Sequence, residues 1–139
     1  MTPERRQQLL RSWATLDPRG NDLAKVFYGH LFAIDPSSEQ LFALTDMPAQ
    51  REKFMAMMRT IVELDEPALV TGAAAMARRH VAYGVRDQDY VTVVEAVMRT
   101  LEDGLGGDLT PELRGVWHEW LTVLATLMRR AAERPLSAP

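Results

Sequence analysis

The sequence predicts an all-α domain, and three observations carry the prediction. Apolar residues recur at intervals of three and four along nearly every segment. Proline, glycine, asparagine and aspartate collect at the corners between those segments. No stretch alternates apolar with polar residues as a half-buried strand would.

Each element follows from its own signals. Thr2-Pro3-Glu4 is a helix start, a capping hydroxyl followed by proline at the first helical position. That helix runs to about Leu16 and carries Leu9, Leu10 and Trp13. Asp17-Pro18-Arg19-Gly20 breaks it, and Asn21 or Asp22 caps a second helix with Leu23, Val26, Phe27, Leu31 and Ile34 on one side. Asp35-Pro36-Ser37 ends the second helix and starts a short piece reaching Phe42. Thr45-Asp46 caps a fourth helix, about Met47 to Leu64, with Gln50, Phe54, Met57, Met58 and Ile61 on one face. A fifth, from about Pro67 to Tyr83, is rich in alanine and places Leu69, Ala73, Met76, His80 and Tyr83 on one arc. The small residues before His80 are expected to let something bulky approach. A sixth helix, Asp87 to about Leu105, aligns Tyr90, Val94, Val97 and Leu101, and Gly104 to Gly107 breaks the chain after it. Thr110-Pro111-Glu112 opens the last helix, with Leu113, Trp117, Leu121, Leu124 and Met128 in register. One domain is expected over 1–139, with its core in about 3–132 and a flexible tail over 133–139.

Composition narrows the function classes. A chain of 139 residues with 47% hydrophobic and 25% charged residues can bury a real core. A net charge of −3 suggests neither nucleic acid nor an anionic membrane as partner. The chain has no cysteine, which removes disulfide, thiolate and Cys-zinc chemistry and fits a reducing cytoplasm. The N-terminus has no signal-like apolar run, and no run approaches membrane-spanning length. Motifs for serine hydrolases, P-loops, dinucleotide folds, zinc proteases and EF-hands are missing.

The three histidines, His30, His80 and His118, are the residues with most chemical scope. His118 sits beside charged residues at the edge of its helix's apolar arc and reads as a surface side chain. His30 and His80 both fall on apolar arcs, so periodicity does not choose between them. A lone histidine on such an arc is more often a hydrogen-bonded core residue than a ligand. His80 has no second His, Cys or carboxylate three or four residues away on its face, which argues against zinc. Haem iron is not excluded, because the porphyrin supplies four nitrogens and one protein ligand suffices. Tyr28 and Gln50 are polar positions among apolar ones. On spacing alone they read as amphipathic filler, and the sharper alternative is a pair of donors aimed at a small ligand.

FYGHLFAIDP with Leu41-Phe42, TDMPAQREKFM, RRHVAYGVRDQDY and TPELRGVW occur in that order and span about residues 3 to 132. Their order and spacing resemble the globin family, specifically bacterial single-domain globins and the globin domain of flavohaemoglobins. The resemblance implies a globin fold of six to seven helices around a haem pocket. It implies heme b (iron protoporphyrin IX) as cofactor and His80 as its axial, metal-ligating residue. Phe42 matches the phenylalanine that packs flat on the porphyrin, and Tyr28 and Gln50 match the distal pair. Phe54 stands where the family usually keeps an aliphatic residue over the iron, a departure that would tighten the distal pocket. Arg79 matches a base near a haem propionate, and Tyr90 matches the proximal tyrosine of flavohaemoglobins. The glutamate that completes their proximal network falls on Ala132, with Glu133 one residue away. Tyr83, Val85 and Val94 complete the expected haem-contacting set.

The function so implied is reversible binding of O2, with NO and CO as alternative ligands, at a five-coordinate iron of high O2 affinity. Oxygen storage or transport and NO dioxygenation both follow from it, the latter with an external reductase, since the chain carries no flavin or nicotinamide motif. A gas sensor and a haem-free regulatory fold are the competing classes. A cytoplasmic monomer or weak homodimer is expected.

Overall fold

The structure, a computed structural model, describes residues 1–82 and 86–133, with the side chains of Arg79, Val81, Ala82, Ala132 and Glu133 left aside. Six α-helices follow one another: α1 Pro3–Leu16, α2 Asn21–Ile34, α3 Met47–Glu63, α4 Glu66–Ala82, α5 Asp87–Leu105 and α6 Pro111–Glu133. Short 3-10 segments lie at Asp17–Arg19, Pro36–Phe42 and Gly106–Asp108. No strand occurs among the described residues, so the all-α expectation holds.

The caps explain most boundaries. The Thr2 side chain accepts from the Arg5 N–H, Asp46 from Ala49 and Asp65 from Ala68, so α1, α3 and α4 each begin where a side-chain oxygen satisfies an orphan donor. α2 begins differently. Neither Asn21 nor Asp22 caps it; both lie inside the helix, and Gly20, at φ 52°, makes the turn into it. Gly106, at φ 55°, ends α5 in the same left-handed way. Gly104, expected in the break, remains helical. A Cβ there would lie 2.5 Å from Leu16 Cδ2, so the bare backbone is what lets α1 approach α5.

α4 packs chiefly on α6, α2 on α5 and α3, and α1 on α6. The core is centred on α6, whose Trp117 and Trp120 are both fully buried. Each indole is paired: Trp117 Nε1 donates to Ser12 Oγ at 2.9 Å, and Trp120 Nε1 donates to the Ile61 carbonyl at 2.7 Å. Leu10 and Val26, expected on buried faces, are instead exposed, because they sit at the edges of the arcs centred on Leu9–Trp13 and Leu23–Phe27. Met55, Val62, Val116 and Trp120 fill the corresponding core positions.

Among the described residues α3 and α4 scarcely touch one another, although they are consecutive. One leans on α2 and α1, the other on α6. α3 and α4 therefore belong to separate walls, α3 with α2 and α4 with the start of α5, and the candidate residues divide between them.

Candidate functional site

The first wall is built by α2, α3 and the 3-10 turn before α3. Phe27 and Tyr28 are buried on α2, and Phe54 on α3. Phe27 and Phe54 stack with ring centroids 4.1 Å apart and planes 16° apart. Tyr28 meets Phe42 edge-on at 5.4 Å and Phe54 at 6.0 Å. The aromatic cluster holds the phenol in one orientation. Gln50, in the first turns of α3, donates from Nε2 to the Tyr28 hydroxyl at 3.0 Å. The bond uses an oxygen lone pair, so the phenol keeps its own hydrogen to donate. Burial raises the Tyr28 pKa above its ordinary value; the Gln50 bond and the positive charge of Arg51 offset this in part. The phenol therefore stays protonated across the neutral range.

The second wall is built by α4 and the start of α5. Leu69, Ala73 and Ala77 form the buried stripe of α4. Ala73 and Ala77 are covered by the protein itself, and α6 is the principal neighbour of α4, so these two alanines serve packing within the fold, which corrects the expectation that they admit a bulky ligand. Met76 and His80 lie beside that stripe and are half-buried. His80 Nδ1 lies 2.7 Å from the Met76 carbonyl oxygen. A carbonyl only accepts, so Nδ1 carries the proton, and in the neutral ring the lone pair falls on Nε2. Tyr90 packs beside it, ring centroids 6.5 Å apart, and its buried hydroxyl has no partner among the described residues. Burial, then Asp87 and Asp89, push the Tyr90 pKa up. Val94 is half-buried one turn along α5.

The other histidines separate cleanly. His30 Nε2 lies 2.6 Å from Asp103 Oδ2, an ion-pairing position between α2 and α5 away from both walls. His118 is exposed, as expected. Tyr83 and Val85, the Arg79 side chain, and the side chains at Ala132 and Glu133 lie outside the described residues. Sequence reasoning did not anticipate Phe27 and Phe32 as part of the aromatic wall, although the run Phe27-Tyr28 with Phe32 four residues beyond Tyr28 was visible.

These residues fit a porphyrin iron. Among the described residues no group of three or more His, Asp or Glu could hold a bare metal ion, whereas a porphyrin iron needs only one protein ligand. His80 offers one nitrogen of the right tautomer, its orientation fixed by a backbone carbonyl, the usual device for a metal-bound imidazole. No helix among the described residues is long and apolar enough to cross a membrane.

Known proteins are similar to this chain in sequence. "Anaerobic nitrite reductase HBII" from Casuarina glauca is 22% identical over 134 residues, covering 85% of this chain and 84% of that protein. "Anaerobic nitrite reductase NSHB5" from Oryza sativa subsp. indica is 26% identical, covering 91% and 92%. A flavohemoprotein from Bordetella pertussis is 26% identical over 92% of this chain, which spans 33% of that longer protein. The family profile described as globin matches residues 25–128, well over half of the sequence, and the chain therefore belongs to the globin family, haem proteins that bind diatomic gases.

Proposed function

We propose that this globin holds heme b between α3 and α4, with His80 as the single axial ligand, and binds O2 tightly on the opposite side. The observation that carries the reading is the His80 tautomer, with Nδ1–H committed to the Met76 carbonyl and Nε2 left as a lone-pair donor. Haem bound there supplies an iron with one coordination position open to a diatomic gas, O2 foremost, NO and CO as alternatives.

The chain's own residues do the rest. Phe42, Phe54 and Val94 would bury the apolar ring, and the family resemblance gives Arg79 to a propionate. Tyr28 donates its hydroxyl hydrogen to the ligand, while Gln50 fixes the phenol by donating to its oxygen. A buried hydrogen bond to a ligand carrying partial negative charge is worth roughly 1.5–3 kcal/mol. At about 1.4 kcal/mol per decade, one such donor slows ligand release on the order of tenfold to a hundredfold. Phe54, larger than an aliphatic residue, narrows the way in.

Tight retention suits NO dioxygenation, in which NO, O2 and one electron give nitrate; the electron comes from a separate reductase. The site belongs to one globin domain over residues 1–139, working in the cytoplasm. A second reading, one-electron reduction of nitrite with two protons to NO and water, is favoured by the names of the two plant relatives. Spectra of the purified protein test the proposal first: ferrous protein should show a five-coordinate Soret band that His80→Ala abolishes. Nitrate formed from O2 and NO under a reductant, against NO formed from nitrite without O2, separates the two activities. A native chain that takes up no haem would overturn both.

A further inference from the structure

Among the described residues two ion pairs join the region of α2 to that of α5. His30 meets Asp103 near the end of α5. Asp35, which closes α2, meets Arg86, which opens α5. The second pair anchors segments that bear site residues of both walls. Asp35 starts the 3-10 segment Pro36–Phe42, whose last residue meets Tyr28 edge-on. Arg86 is the N-cap of α5, and Tyr90, one turn on, packs beside His80.

The two oxygens of Asp35 do different work. Oδ1 accepts from the Ser37 N–H at 3.1 Å and from the Ser37 hydroxyl at 2.5 Å, which caps the 3-10 segment. Oδ2 faces Arg86 Nη2 at 3.6 Å. That distance is too long for a hydrogen bond, so the attraction is Coulombic and yields to salt. The guanidinium is already ordered. Its Nε donates to Asp89 Oδ2 at 3.3 Å and its Nη2 to Asp89 Oδ1 at 3.1 Å, while the Arg86 N–H donates to Oδ2 at 2.7 Å. Asp89 itself is buried. An isolated surface pair contributes little, because holding two side chains in one geometry costs entropy. Here Asp89 and Ser37 have ordered both partners beforehand, so little further entropy is lost when they meet.

We propose that Asp35 and Arg86 are a positioning pair, a salt-sensitive clasp that ties the Phe42 segment to the start of α5. The clasp acts through Phe42 rather than on the haem itself. When it opens, Phe42 leaves the edge of Tyr28 more often, and the ring that Phe42 would cover escapes more easily. Haem retention by this chain therefore weakens as ionic strength rises. The haem consequence rests on the haem-binding reading, whereas the clasp belongs to the haem-free chain as well.

Asp35→Asn separates the two jobs: an amide oxygen still caps Ser37, while the charge facing Arg86 is gone. Haem transfer from the loaded protein to apomyoglobin should be about two- to fivefold faster in Asp35→Asn than in the native chain at about 0.01 M salt. At about 1 M salt the two should lose haem at the same rate. Arg86→Gln, which also strips Asp89 of the guanidinium, should lose haem faster still, and adding Asp35→Asn to it should change nothing more. In the haem-free protein at low salt, amide hydrogen exchange over residues 37–42 should rise by the same two- to fivefold or so in Asp35→Asn. His30→Gln, which removes the other pair, should leave that exchange at its native value. An Asp35→Asn effect that persists at about 1 M salt, or in the Arg86→Gln background, overturns the clasp. So does a His30→Gln result that matches Asp35→Asn, since general loosening between α2 and α5 would then explain both. If Arg86→Gln does not fold, the salt comparison decides alone. A native chain that takes up no haem overturns the gas-binding reading instead, and exchange in the haem-free protein still judges the clasp.

Discussion

The α2–α3 wall and the α4–α5 wall are built on opposite plans. On the α2–α3 side every polar atom of interest has a partner: Gln50 donates to Tyr28, and five aromatic rings, Phe27, Tyr28, Phe32, Phe42 and Phe54, hold the pair in place. On the α4–α5 side alanines replace aromatics, His80 is tied only to its own helix, and the Tyr90 hydroxyl has no partner among the described residues. One wall is rigid and internally satisfied. The other is open to outside influence. The contrast suits a division of labour in which the first wall sets how a small ligand is held and the second sets how strongly the axial nitrogen donates.

Substitutions on each side test that contrast. His80→Ala should have the largest effect, weakening haem retention by about a hundredfold or more, since even partners one shell out are worth ~10- to 100-fold; haem transfer to apomyoglobin measures it. Tyr28→Phe should speed O2 dissociation by about tenfold to a hundredfold in stopped-flow experiments. It should also lower stability by about 1 kcal/mol, because the Gln50 amide loses its acceptor. Phe54→Leu removes the stack on Phe27 and should lower stability by about 2 kcal/mol in urea titrations, while ligand association becomes faster.

Alkaline titration sharpens the comparison further. Both tyrosines have raised folded-state pKa values, so the unfolded chain loses its phenolic protons first. Their contribution is fully present below pH about 10 and declines as pH rises from there toward the folded-state values. Tyr28→Phe should flatten that decline in melting temperature above pH about 10. Tyr90→Phe has the smallest expected effect at neutral pH: deleting an unpartnered hydroxyl should change stability by less than about 0.5 kcal/mol, or raise it slightly. A Tyr90→Phe loss as large as that of Tyr28→Phe would erase the difference between the walls.

Much of the fold was legible because helix starts announce themselves locally. Thr2 and Asp46 mark boundaries where they fall, since capping needs only a side-chain oxygen a few residues from the donors it serves; α5 starts at Asp87 as expected, with Asp89 rather than Asp87 accepting from the Arg86 N–H. Arc edges were less legible. Leu10 and Val26 carry the right period but look outward, while Trp120 turns inward, because which side of an arc is buried depends on the neighbouring helix. The candidate site shows the same limit. Spacing could not prefer His80 over His30; the deciding contacts, Met76 for one and Asp103 for the other, include one 73 residues distant in sequence. Tyr28 and Gln50 looked like filler by period alone and gained meaning only through resemblance, because a bond across 22 residues leaves no periodic trace.

The far end of α3 is fastened from outside the cleft. Arg6, on α1, donates to the Leu64 carbonyl at 2.6 Å and to that of Glu63, and its guanidinium lies 5.8 Å from the Trp120 ring centroid. Trp120 in turn holds the Ile61 carbonyl. Cationic and aromatic side chains remote from any gas thus brace the corner joining the two walls. Exchange kinetics should consequently respond to the N-terminal helix, and an Arg6 substitution would be a long-distance throttle on a chamber it never enters.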